Sequence, residues 1–290
     1  MILGMDHLSD LKESGKKKFT NKYLNLLKIS ELNCKIPALI YLCDDEFDYF
    51  CKEGHLSVNT RNKIENFTQS IQNSGDIPLF SIRCEGKGER LKHERLPHTI
   101  LNLGLNSMDI SKLSLKSRKI YERLLDVFFE IYYDRAGYYK DFVEIKQKFL
   151  SVSEEIEYWL SIFYQEMKKI KVDLSYGVII QQMVFGNVDD ISGMGICCNW
   201  VGEQSEEKRF KGVFLKKQQG ILTIPGYWGK NECDLDEFRR INPKAYDEVY
   251  RIFCECEKKY GENPYLEFEV VCEDVYILQY EQRQRNVEPS

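Results

Sequence analysis

The sequence predicts an α+β chain, on three observations. An early unit, "NKYLNLLKISELNCKIPALIYL", passes from helical spacing into a short apolar run entered through Pro37. Residues Ser117 to Ile170 repeat apolar positions at three and four, as a helical stretch does. From Tyr176 onward the apolar runs shorten and are separated by Gly, Asn and Asp, the pattern of a largely antiparallel sheet.

In chain order, Leu24, Leu27 and Leu32 form the stripe of the first helix, which the Asn33 region ends before the strand "ALIYL". "IPLFSIRCEG" reads as a second short strand entering a glycine turn, with Arg83 near its end, and the charged loop "EGKGERLKHERLPH" leads to "TILNLGLN". In the helical stretch, Ile120, Leu124, Val127, Phe128 and Ile131 share a face, and "SVSEEIEYWLSIFYQEMKKI" opens with a capping box, Ser151 with Glu154. "GVIIQQMVFGN", "GMGICCNW", "RFKGVFL" and "GILTIPG" are the strands that follow. "INPKAYDEVYRIFCECEKKYG" is a helix with Asn242 as N-cap, Pro243 at its first position, a stripe of Tyr246, Val249, Tyr250 and Phe253, and Gly261 as terminator. The chain closes on a hairpin, "YLEFEVVCEDVYILQYEQ", turning at Cys272 to Asp274.

Composition narrows the classes. At 290 residues the chain can bury a substantial core without staples, and 43% hydrophobic with 30% charged residues is the balance of a soluble globular protein. No stretch is apolar over a bilayer's width, and the N-terminus lacks the apolar core of a secretory signal, so a cytoplasmic protein without a membrane partner is expected. A formal charge of -5 argues against a nucleic-acid partner. The ten cysteines contain no C-x-x-C pair, so reduced thiols acting as small hydrophobes are the simplest reading, with disulfides as the alternative. The four histidines, His7, His55, His93 and His98, all precede residue 99; "HERLPH" misses the zincin spacing, and Pro97 interrupts it.

Two features point to chemistry. Gln181 and Gln182 interrupt an apolar strand, where each amide needs a partner or a ligand. In the terminal hairpin, pairing Val271 with Val275 would set Glu269 opposite Ile277 and Glu267 opposite Gln279. A carboxylate beside an amide oxygen suits a hard cation such as Mg²⁺. On alternation alone a solvated sheet face with chance pairing is the better reading.

Several segments, in order, resemble the ATP-binding domain of pyruvate phosphate dikinase, shared with phosphoenolpyruvate synthase and the rifampin phosphotransferases. "TILNLGLN" and "QQMVFGNVDDISGMG" carry the likeness most closely; "NKYLNLLKISELNCKIPALIYLCDDEF" resembles the family's nucleotide loop, helix and strand, "LFSIRCEG" its arginine strand, and "YLEFEVVCEDVYILQ" its terminal hairpin. The resemblance implies an ATP-grasp fold, two α+β lobes joined by a helical segment: residues 1–110, 111–172 and 173–285, with a tail at 286–290. It implies ATP and Mg²⁺ as cofactors. Lys22 would touch phosphates, Arg83 would neutralise the transferring phosphoryl group, and Arg123 matches a second arginine. Gln181, Gln182, Met183 and Val184 would form the adenine hinge, and Glu267 with Gln279 would hold the metal. The implied function is nucleotide binding, with phosphoryl transfer to a separate acceptor protein or small molecule, or alternatively a nucleotide-binding or interaction module that has lost catalysis.

The departures bear on that choice. Thr20, Asn21, Tyr23 and Leu24 stand around the loop lysine where the family has glycines, Glu281 stands where it has an arginine, and Tyr265 where an acid is usual. Val213 replaces a glutamate and Trp200 an arginine. The chain is also expected to stop where the family's phosphohistidine domain begins, leaving the acceptor to another molecule.

Overall fold

A computed structural model of the chain describes residues 2–4, 19–86, 99–104, 149–170, 176–201, 208–219, 232–261 and 263–282. It is the α+β fold expected, with two antiparallel sheets. Contacts divide the chain into two units that do not follow it linearly: Met1–Thr20 with Ala38–Met183, and Asn21–Pro37 with Val184–Ser290.

The first unit holds the sheet β1-β2-β5-β3-β4, made of β1 (Ile2–Gly4), β2 (Leu39–Leu42), β3 (Phe80–Gly86), β4 (Thr99–Leu103) and β5 (Tyr176–Gln182). Every residue of β2 is buried, so this strand reads as the continuous apolar run "LIYL" and shows no alternation. Helices α2 (Asp44–Glu53), α3 (Val58–Asn73) and α4 (Val152–Ile170) belong to the same unit. Three acids open α2, where the helix dipole favours them, and Gly54 ends it in the left-handed region. The Ser57 side chain caps α3 by accepting from Thr60 N–H. Ser151 Oγ accepts from Glu154 N–H at 3.2 Å, while the Glu154 carboxylate reaches back to Leu150 N–H at 2.7 Å, a capping box displaced by one residue from the ideal. Arg61 grips Glu157 through two 2.8 Å bonds and so ties α3 to α4.

The second unit holds the sheet β10-β9-β6-β7-β8, made of β6 (Gly193–Val201), β7 (Lys208–Lys216), β8 (Glu232–Asp234), β9 (Pro264–Val271) and β10 (Asp274–Gln282). Its helices are α1 (Asn21–Ser30), α5 (Leu235–Ile241) and α6 (Pro243–Tyr260). One sheet face packs on the helices through aromatic rings: Phe238 lies 4.1 Å from Phe214 and 5.9 Å from Phe268, and Phe253 lies 4.7 Å from Phe210. The face of α6 turned inward is Ala245, Val249, Ile252, Phe253 and Cys256. Tyr250, expected in that stripe, is 46% exposed, because the inward arc is centred one residue further round. In α1 likewise Tyr23 is buried and Leu24 only half-buried.

The expected lobe boundary between residues 172 and 173 is not where the units divide, which is between Met183 and Val184. The reason is strand pairing: β5 hydrogen-bonds between β2 and β3 and is the central strand of the first sheet. Helix α1, expected in the N-terminal lobe, belongs to the second unit, where Tyr260 Oη donates to Lys28 O at 2.5 Å and Lys259 pairs with Glu31 at 2.8 Å. Of the expected helical segment at 111–172, α4 is described; Arg123 and the apolar face from Ile120 to Ile131 lie outside the described residues, as do His93 and His98.

The described cysteines are free thiols, as expected. Burial pushes Cys34 to about 11 and Cys256 to about 12, and it pushes the Tyr41 phenol to about 12. These groups are neutral when protonated, so a raised folded-state value stabilises the fold below the ordinary thiol value of 9.0 and that stability drains away as pH climbs through 9 to 12. The urea midpoint is therefore expected to hold from pH 7 to 9 and to fall steadily beyond; an unchanged midpoint at pH 11 would contradict the burial. No helix among the described residues is long and apolar enough to cross a membrane.

Candidate functional site

In the first unit, direct register pairs Ser81 with Gln181, Arg83 with Ile179 and Arg83 with Thr99. Opposed residues of a ladder share a sheet face, so Ser81, Arg83, Gln181 and Tyr41 lie on one face and Gln182 on the other. Gln181 is 1% exposed and Arg83 8%, while Gln182 is half-buried. The two glutamines thus differ in environment: only Gln181 shares the arginine's face. The strand ends at Gln182, whose N–H donates to Ala38 O at 2.8 Å, and Met183 N–H donates to Leu79 O at 2.8 Å. Met183 is buried and is the last residue of the first unit; Val184, half-buried, opens the second.

Lys22 is half-buried in the first turn of α1. Just before it, Thr20 is 1% exposed and its backbone N–H donates to Tyr41 Oη at 3.0 Å. Where a phosphate-cradling loop would present bare amides, this amide is already taken up inside the first unit.

In the second unit Glu267 does stand opposite Gln279. The route differs from the one expected. The hairpin turns at Cys272 and Glu273, with Asp274 opposite Val271, and Glu269 faces Tyr276 instead of Ile277. A bulge between Ile277 and Gln279 then adds one residue and restores the pairing of Glu267 with Gln279. The row continues across the sheet through Ile196, Val213 and Asp234. On the adjoining row Glu281 faces Tyr265. Tyr265 Oη donates weakly to Glu267 Oε1 at 3.4 Å, and Gln279 Nε2 donates to Glu281 Oε1 at 2.7 Å. All four side chains lie on the sheet face opposite the Phe214 and Phe268 rings.

A carboxylate beside an amide oxygen, both hard oxygen donors on a partly exposed face, fits Mg²⁺ with its remaining positions filled by water or phosphate oxygens. Among the described residues no group of three or more His, Cys, Asp or Glu could hold a metal ion.

Two supports beside this face carry no motif of their own. Glu269, 1% exposed, accepts from Gly186 N–H at 2.6 Å and so fixes the bend that follows Met183. A side chain on Gly186 would meet Gln218 O and Gly193 O at 2.6 Å. Gly186→Ala is therefore expected to lower stability by about 2–3 kcal/mol, read from the urea midpoint, because the obstructing atoms are backbone and cannot swing away. Further on, Asp189 accepts from Ile191 N–H and from the backbone and hydroxyl of Ser192, and Cys272 Sγ lies 3.2 Å from its other oxygen. Burial works to raise the Asp189 carboxyl, but the hydrogen bonds from Ser192 and Cys272 outweigh it and hold the group below its ordinary value. An Asp three residues before a Ser in "DDIS" is the local signal that could have disclosed this turn.

The chain is similar to pyruvate, phosphate dikinases over most of its length. It is 24% identical to the pyruvate, phosphate dikinase of Rickettsia typhi over 335 aligned positions, covering 93% of this chain and 38% of the relative. Against pyruvate, phosphate dikinase 1, chloroplastic, of Arabidopsis thaliana it is 27% identical over 221 residues, 74% of this chain and 21% of the relative. The corresponding Zea mays protein is 29% identical over 193 residues, 65% of this chain and 19% of that protein. The chain thus spans less than half the length of these relatives. No family model matches it. Among solved structures, D-alanyl-alanine synthetase A from Vibrio cholerae superposes with a TM-score of 0.33 at 11% identity, covering 90% of this chain and 54% of that one, a score too low to relate residues.

Proposed function

We propose that the chain binds ATP with Mg²⁺ in an ATP-grasp type of site and passes a phosphoryl group to a separate acceptor. One observation carries the reading: in a chain similar to pyruvate, phosphate dikinases, the two residues that the resemblance marks for the metal are cross-strand partners. Glu267 and Gln279 would hold Mg²⁺, which when bound screens the phosphate charge. Lys22 and Arg83 are the proposed phosphate and phosphoryl ligands, with Arg123 as a second arginine, and Gln181, Gln182, Met183 and Val184 are the proposed adenine contacts. Such groups act by positioning and by electrostatic stabilisation of charge as it develops on the transferring group.

A second reading, binding without turnover, is favoured by the Thr20 amide already bonded to Tyr41 and by the anion Glu281 beside the metal pair. Calorimetric titration of the chain with ATP, with and without Mg²⁺, tests both together with an assay of ATP consumption. Metal-dependent binding is expected. Binding with no ATP consumed over hours, with water as the only acceptor and then with candidate acceptors, would decide for the second reading; no heat and no thermal shift would overturn both.

A further inference from the structure

The bond between Gln279 and Glu281 bears on how the metal face works. A primary amide offers a donor end and an acceptor end of nearly equal shape, and on an exposed sheet face it can present either one. An ionised carboxylate only accepts. With Glu281 Oε1 2.7 Å from the Gln279 side chain, the end nearest it must be the NH₂ group, and the oxygen is left for another partner. The flip of Gln279 is thus decided by chemistry and not by chance. The oxygen left over belongs to a side chain whose cross-strand partner is the Glu267 carboxylate. In the opposite flip Gln279 would present two N–H donors to a cation and would repel it.

We propose that Glu281 is a positioning residue: it holds the Gln279 amide with its oxygen available to a divalent cation shared with Glu267. The proposal rests on the reading that Glu267 and Gln279 form the metal pair. It changes the part Glu281 plays. The same negative charge that opposes phosphates readies the neighbouring ligand and draws the cation, so the face binds metal before any nucleotide is present.

The test is a Mn²⁺ titration of the full chain without nucleotide, free Mn²⁺ being read by electron paramagnetic resonance. The proteins are the native chain, Glu267→Gln, Glu281→Ala, Gln279→Glu and the double variant Gln279→Glu/Glu281→Ala. Thermal unfolding of each in EDTA separates loss of metal from loss of fold, and Glu281→Ser stands in if the alanine variant does not fold. Glu281→Ala is expected to weaken Mn²⁺ about tenfold or more in the native background. In the Gln279→Glu background, where either oxygen can ligate and no flip needs holding, the same truncation is expected to cost less than about threefold. An affinity unchanged by Glu281→Ala, or an equal loss in both backgrounds, overturns the positioning role while leaving the metal pair in place. A native chain that binds no Mn²⁺, or a Glu267→Gln variant that binds it normally, removes the metal pair itself and the role of Glu281 with it.

Discussion

Glu267→Gln is expected to weaken Mg²⁺-dependent ATP binding on the order of 100-fold while leaving the fold intact. The substitution keeps the shape of the side chain and removes only its charge. A hard cation surrendering hydration water needs an anionic oxygen in return, and an amide oxygen on the same stem supplies far less. Stability should hardly change, because Glu267 is half-buried and the hydrogen bond it accepts from Tyr265 is long at 3.4 Å. Calorimetry with and without Mg²⁺, beside a thermal unfolding curve, is the measurement. Equal affinity in the variant and the native chain would mean that Glu267 holds no metal.

The largest effect on stability is expected from Asn242. Its side chain accepts from Ala245 N–H at 3.2 Å, capping α6, and its NH₂ group donates to Ile191 O at 3.1 Å and Cys272 O at 2.5 Å. One residue, 3% exposed, therefore joins a helix start, the Asp189 turn and the tip of the hairpin that carries Gln279. Asn242→Ala removes the cap and leaves two carbonyls without their donor, for about 3 kcal/mol in total. Asn242→Asp makes the sharper test. An aspartate caps a helix as well as asparagine does, yet it turns an anion on both carbonyls, so it should lose at least as much as alanine does beyond the cap. Urea unfolding measures both; an aspartate variant as stable as the native chain would show that the two carbonyl bonds contribute nothing.

The candidate face was legible in the sequence to an uneven degree. Asn242 followed by Pro243, Ser151 with Glu154, and the run "LIYL" disclosed their elements because capping and burial act over a few residues. The pairing of Glu267 with Gln279 was reached from a register off by one residue at the turn, and it survives because the bulge before Gln279 returns that residue. Alternation reveals which face a side chain occupies; it is blind to a bulge, whose cause lies in the packing of both strands. Glu281 is the converse case. As a residue type in place of an arginine it reads as an anion opposed to phosphate. In the structure it faces Tyr265, itself standing where an acid is usual, and it accepts from Gln279, so the exchange is one of charge across a strand pair as well as a loss of cation.

The sequence by itself determined the α+β class, the succession of most helices and strands, and the residue types able to meet a metal and a phosphate. Those properties follow from local spacing, caps and composition. Only the tertiary structure decided that the strand ending in Gln181 and Gln182 is the centre of the first sheet, that α1 belongs with the second unit, that Gln181 and not Gln182 shares a face with Arg83, and that Asn242 also donates to Ile191 and Cys272. The physical reason is the same in each case. A ladder or side-chain hydrogen bond is made with whichever group folding brings within about 3 Å, and that group lies tens of residues away in the chain, beyond the reach of any local pattern.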